Sequence, residues 1–163
     1  MLAPESVEQA VDGYEQARPK FERFATALAN LLTTLLDASD LQYQQITART
    51  KTVESFREKI TREGKDYSDP LVDLTDLCGI RIVCYDPATV PRIGNIISNN
   101  FCIDSRNSVD KAQLLDPDRF GYLSVHHVVS LEKRRAGLPE YSPFAGLKAE
   151  IQVRTALQDA WAA

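Results

Sequence analysis

The 163-residue chain is poor in the side chains that build metal clusters and disulfide frameworks, with three cysteines and two histidines. Cys78, Cys84 and Cys102 are odd in number and form no C-x-x-C pair, so they read as buried thiols in a reducing compartment. His126 and His127 are neighbours; on a strand they face opposite ways, which excludes a mononuclear histidine cluster. Residues 24–36 are too short, and too mixed with threonine and asparagine, to span a bilayer. The opening MLAPES has no basic n-region, and the expectation is a soluble cytoplasmic protein with no membrane partner. There is no G-x-x-x-x-G-K-[ST] loop, no G-x-S-x-G elbow, no internal repeat and no low-complexity run. The net charge of −4 argues against a bulk nucleic-acid coat.

What is present suits a single soluble domain, with 44% hydrophobic residues. Ser6-x-x-Gln9 has capping-box form, and the first helix is expected to run from there to a kink or break near Pro19. From Phe21 onwards Phe24, Leu28, Leu31, Leu32, Leu35 and Leu36 recur at helical spacing, which predicts a second helical segment. Residues 42–47 read as a short strand and 52–62 as a helix. Residues 79–85 read as a buried central strand, and Asp86-Pro87 starts a helix carrying Val90, Ile93 and Ile97. Residues 101–105, 123–131 and 147–154 read as further strands, and Thr155 caps a last helix containing Trp161. The segment 133–146, with two prolines and two glycines, reads as a mobile loop. This order predicts an α/β (α+β) fold: a mixed sheet of about five strands with helices packed mainly on one side.

Positive charge is concentrated in RTKTVESFREK, residues 49–59. Arg49 and Lys51 share one side of an extended segment, and Ser55 and Lys59 share one face of the helix that follows. If Thr52 caps that helix, its free N–H groups favour a polyphosphate. The same spacing suits a solvated amphipathic helix in which Glu54, Glu58 and Glu63 pair with Arg57, Lys59 and Arg62. Asp76, at a strand entrance in DLCGIR, is placed either to hold Mg²⁺ or to cap a turn. Arg81 sits inside an apolar run and needs a partner or a ligand. In EIQVRT, Glu150, Gln152 and Arg154 line one polar face. With Asp76, Glu150 forms a carboxylate pair able to hold a metal and take a proton. In FGYLSVH, Tyr122, Ser124 and His126 share a face; a tyrosine after Gly121 is open for base stacking, or else belongs to the core.

From about residue 42 to the C-terminus these motifs, in this order, resemble the synthetase domain of the RelA/SpoT family of pyrophosphate transferases. The resemblance implies a nucleotidyltransferase-like fold that moves the β,γ-pyrophosphate of ATP onto the 3′-hydroxyl of GDP or GTP, making the alarmone (p)ppGpp. It implies that Arg49 and Arg81 sandwich the adenine and that Lys51, Ser55 and Lys59 hold the ATP phosphates. Asp76 and Glu150 would carry Mg²⁺, with Glu150 also activating the acceptor hydroxyl. Tyr122 would stack on the acceptor base, with His126, Gln152 and Arg154 completing that pocket, while Lys111 and Arg119 could supply charge to the acceptor from a different direction. Family members usually carry a lysine and a polar residue before the glycine-tyrosine pair, where this chain has Pro117-Asp118-Arg119-Phe120. That departure opens a second acceptor, the tRNA 3′ end, as in small synthetase toxins held by an antitoxin protein. A non-catalytic nucleotide-binding module is a third reading. The hydrolase half and regulatory domains of long relatives are not found in this sequence, and family members usually continue the last helix. The expectation is therefore a trimmed single-function core, with an N-terminal helical segment at 1–40, a synthetase core at 41–163 and a possible homo-oligomer.

Overall fold

The computed structural model describes residues 2–110 and 124–162. Its first element, α1, is one uninterrupted helix, Pro4–Ala38. The expected break at Pro19 does not occur. Pro19 is exposed, so the amide it lacks is missing on the solvent side, where water can satisfy the carbonyl it leaves bare. Val7, Val11, Tyr14, Phe21, Phe24, Leu28, Leu32 and Leu36 are buried on both sides of it and hold the helix as one piece. The expected capping box is not used either. The helix starts at Pro4 behind Ala3 with no side-chain cap, because the fixed φ of proline already suits a first turn. At the other end Asp40 takes a left-handed φ of 56°. The amides of Leu41 and Asp40 then bond back to the Leu36 and Asp37 carbonyls at 3.2 and 3.3 Å, a Schellman stop.

The sheet contains β1 (Gln45–Thr50), β2 (Cys78–Cys84), β3 (Phe101–Ile103), the two-residue β4 (Val109–Asp110), β5 (Val125–Leu131) and β6 (Ala149–Thr155). The strands run β1-β2-β6-β5-β3, with β4 paired to β5. Among the described residues β2 and β6 are the one parallel pair, and the other pairs are antiparallel. Between β1 and β2 lie α2 (Val53–Ile60) and the single turn α3 (Pro70–Asp73); α4 (Thr89–Asn100) precedes β3. The helix α4 starts at Thr89 behind Ala88 rather than at Asp86-Pro87, which form the turn before it; the Asp86 carboxylate accepts from the Thr89 amide at 3.1 Å.

The period-two alternation of β2 and β6 decides the architecture. Cys78, Ile80, Ile82, Ala149, Ile151 and Val153 belong to the hydrophobic core together with residues of α1 and α4. The intervening residues Gly79, Arg81, Glu150 and Gln152 are only partly buried and face the other side. Helices α1 and α4 thus cover one face, as the sequence pattern predicts, and the opposite face carries the polar side chains. His127 lies on the helix side, so close to α4 that a Cβ on Gly94 would sit 3.6 Å from its ring.

Residues 133–146 are folded rather than a loose loop. Lys133–Ala136 form α5, Ser142–Phe144 a 3-10 turn, and buried Phe144 stacks on Phe24 of α1 with ring centroids 5.3 Å apart. The Phe144 ring, between Pro143 and Gly146, anchors the segment. Among the described residues no helix is long and apolar enough to cross a membrane.

Candidate nucleotide site

The open face of the sheet is built row by row from strand register. Arg49 of β1 stands beside Gly79 of β2, which stands beside Glu150 of β6. One step along, Thr47, Arg81, Gln152 and His126 form the next row. A cavity of about 300 Å³ opens here, lined by Arg49, Asp76, Gly79, Arg81, Glu150 and Gln152 among others. Gly79 contributes no side chain, and the Arg49 stem passes 3.9 Å from where its Cβ would be.

A smaller recess of about 120 Å³ adjoins it through the shared residues Arg49 and Asp76, and is completed by Thr50, Lys51, Thr52 and Ser55. Thr52 caps α2, its Oγ1 accepting from the Ser55 amide at 3.1 Å and donating to the Ser55 hydroxyl at 2.9 Å. The remaining first-turn amides of α2 are available to an anion.

Asp76 is the charge centre. Its Oδ2 lies 2.7 Å from Lys59 Nζ and 3.2 Å from Lys51 Nζ. Burial pushes its carboxyl up, but the Lys59 hydrogen bond and the Lys51 and Lys59 charges outweigh that, leaving it below the usual carboxylate range. The other oxygen, Oδ1, is buried without a partner, as a carboxylate oxygen reserved for a ligand would be. Glu150 shares the larger cavity. Its Oε1 accepts from Gln152 Nε2 at 2.9 Å and lies 3.3 Å from His126 Nδ1. The far nitrogen of His126 lies 2.8 Å from the hydroxyl of buried Ser124. Two carboxylates, one with an orphaned oxygen, fit Mg²⁺, which takes few protein ligands and fills its octahedron with water and phosphate oxygens.

The structure therefore brings Arg49, Lys51, Ser55, Asp76, Arg81, Glu150 and Gln152 around two adjoining cavities, with Lys59 bound to Asp76. His126 reaches them through Glu150. Arg154, 2% exposed, lines neither cavity; it donates to Gln152 Oε1 at 2.5 Å and to Asp159 Oδ1 at 3.4 Å. Tyr122 and Lys111 lie outside the described residues, as do Asp118, Arg119 and Phe120. Asp159 of α6 (Ala156–Ala162) supplies the partner that Arg81 needs, at 3.6 Å. Nothing in the local pattern of α6 marks Asp159. Ser124 was visible as one of the alternating polar residues of its strand.

Residues 48–163 match the family described as a region found in RelA / SpoT proteins, and the chain belongs to that family. It is 28% identical over 117 residues to the GTP pyrophosphokinase YwaC of Bacillus subtilis (strain 168), a match covering 71% of this chain and 52% of that protein. The chain thus spans about half the length of this curated relative. In fold it is similar to small alarmone synthetase 1 from Bacillus subtilis bound to its product pppGpp, with a TM-score of 0.72, 23% identity and coverage of 93% of this chain and 76% of that one. The same synthetase bound to AMPCPP matches at a TM-score of 0.65 and 22% identity, over 92% and 74% of the two chains.

Proposed function

We propose that this chain is an ATP-dependent pyrophosphate transferase that makes a guanosine 3′-pyrophosphate, (p)ppGpp. The observation that carries the reading is the convergence of Asp76, Glu150, Arg49 and Arg81 on one cavity that adjoins the Lys51–Ser55 recess. The donor triphosphate lies in the recess, its charge met by Lys51, Lys59 and the α2 N-terminus. Arg49 and Arg81 offer planar guanidinium faces to the adenine. Asp76 and Glu150 hold Mg²⁺, which when bound neutralises phosphate charge and orients the donor. Glu150 takes the proton from the acceptor 3′-hydroxyl; that oxygen bonds to the β-phosphorus, the bond to the α-phosphate oxygen breaks, and AMP leaves. His126 and Gln152 aim the Glu150 carboxylate.

GDP or GTP is favoured over a tRNA end as acceptor. The curated relative is a GTP pyrophosphokinase, and one solved relative holds pppGpp. An enzyme using these substrates works in the cytoplasm, where three free thiols are at home. The test is incubation with Mg²⁺ and ATP labelled in the β,γ-phosphates, plus GDP, GTP, ATP or total tRNA. Label on GDP or GTP is expected; label on tRNA alone overturns the acceptor, and label on none overturns the activity.

A further inference from the structure

We propose that Tyr14 and Arg18 of α1 are positioning residues for the triphosphate-binding turn, acting through the main-chain carbonyl of Lys51. The proposal rests on the reading of residues 51–55 as the donor-phosphate turn. Helix α1 lies outside the residues that match the family, yet it bonds directly to this turn.

Tyr14 and Arg18 are four residues apart and so share one face of α1. The Tyr14 hydroxyl donates to the Lys51 carbonyl at 2.6 Å, and Arg18 Nε donates to the same oxygen at 3.1 Å. A further Arg18 nitrogen reaches the Thr50 carbonyl at 3.4 Å, and the guanidinium is steadied by Glu22 at 2.6 Å. On its other side the Lys51 peptide is fixed too, its amide donating to the Leu77 carbonyl at 2.9 Å. Both polar groups of this residue are thus occupied by distant elements, which leaves its side chain to extend to Asp76.

The Tyr14 ring is fully buried and stacks on Phe56 of α2, with centroids 4.4 Å apart and planes 17° apart. One tyrosine therefore fixes both the residue before the Thr52 cap and the helix that follows it. Burial pushes the Tyr14 hydroxyl up to about 12, so it stays a donor throughout the neutral range. Two donors on one carbonyl exceed what chain reversal alone requires. They fix the tilt of the peptide plane leading into α2, and with it the direction of the first-turn amides and of the Lys51 ammonium. Polyphosphate recognition depends on such preorganised donors.

The test compares Tyr14→Phe, which keeps the ring and its stack, with Arg18→Met, Arg18→Lys and the Tyr14→Phe/Arg18→Met double variant. AMPCPP affinity is measured by calorimetry, KM for GDP by turnover, and amide exchange over residues 52–56. Each donor removed is expected to weaken AMPCPP binding about 3–10-fold and to speed exchange at the start of α2. KM for GDP should stay at the wild-type value, and Arg18→Lys should recover part of the loss. A folded double variant with wild-type AMPCPP affinity and exchange overturns the proposal. So does a loss of stability with donor and acceptor affected equally. Lys51→Ala is the control: if it too binds AMPCPP normally, the donor-site reading itself fails, and the proposal with it.

Discussion

Lys59 and Asp76, seventeen residues apart, close a 2.7 Å ion pair that fixes α2 against the entrance of β2. The pair occupies one carboxylate oxygen and leaves the other buried without a partner. Lys51 joins the same oxygen at 3.2 Å, so two cations and one half-used acid sit where the two cavities adjoin. On the proposed reading that arrangement holds charge ready for a metal–nucleotide complex, since an unused buried acceptor is costly unless a ligand later fills it.

Lys51→Ala removes one cation from the recess without disturbing the Lys59 pair. ATP affinity should fall by about 10–100-fold, corresponding to a charged contact of roughly 1.5–3 kcal/mol. Transfer to every acceptor should drop alike. Calorimetry with ATP and Mg²⁺ decides it; unchanged affinity removes Lys51 from the donor site.

Glu150→Gln keeps the shape of the side chain and removes the base. Nucleotide binding should largely survive while turnover falls by about 10²–10⁴-fold. Single-turnover assays with both nucleotides saturating read this directly. Near-normal turnover would end the assignment of Glu150 as the group that takes the acceptor proton.

Arg154→Met should act on stability before it acts on substrate. The guanidinium is buried against Gln152 and Asp159; Asp159 keeps Arg81, so the loss strands the Gln152 acceptor at a cost of about 1–3 kcal/mol. Thermal unfolding should shift down, with the acceptor KM moving less than Tm implies. An intact Tm with a large rise in acceptor KM would show instead that Arg154 touches the acceptor.

Asp104, after β3, is held by Lys148 and Asn107, whose hydrogen bonds bring its carboxyl from 3.8 to about 2. A lowered folded-state value stabilises above the unfolded value, and that contribution is lost as pH falls through the folded one. The Tm gap between wild type and Asp104→Asn should therefore be steady from pH 7 to 5 and close between about pH 4 and 2. A gap that stays open at the acid end would mean the carboxylate is not what stabilises this turn.

Part of the sheet was legible because Glu150 and Gln152 alternate with Ala149, Ile151 and Val153 along β6, and alternation fixes which side chains share a face. Arg81 inside an apolar strand correctly demanded a partner; the pattern could not say that Asp159, 78 residues later, supplies it. Pro19 was misleading for a related reason. A proline ends a helix only if the lost hydrogen bond outweighs what flanks it, and the burial of Tyr14 and Phe21 on either side lies outside local sequence. The connector at 133–146 misled similarly, its composition favouring a loop while Phe144 finds Phe24.

The sequence by itself determined the family, the polar face of β6 and the cap of α2, because these depend on residue type and on spacing within one element. Only the tertiary structure decided that Asp76 meets Lys51 and Lys59, that Glu150 is braced by His126 and Gln152, and that Arg154 lies buried beside them. It alone decided that Tyr14 and Arg18 reach the Lys51 carbonyl across more than thirty residues. Strand register and helix packing set those distances, and both emerge only when the whole chain buries its apolar face at once.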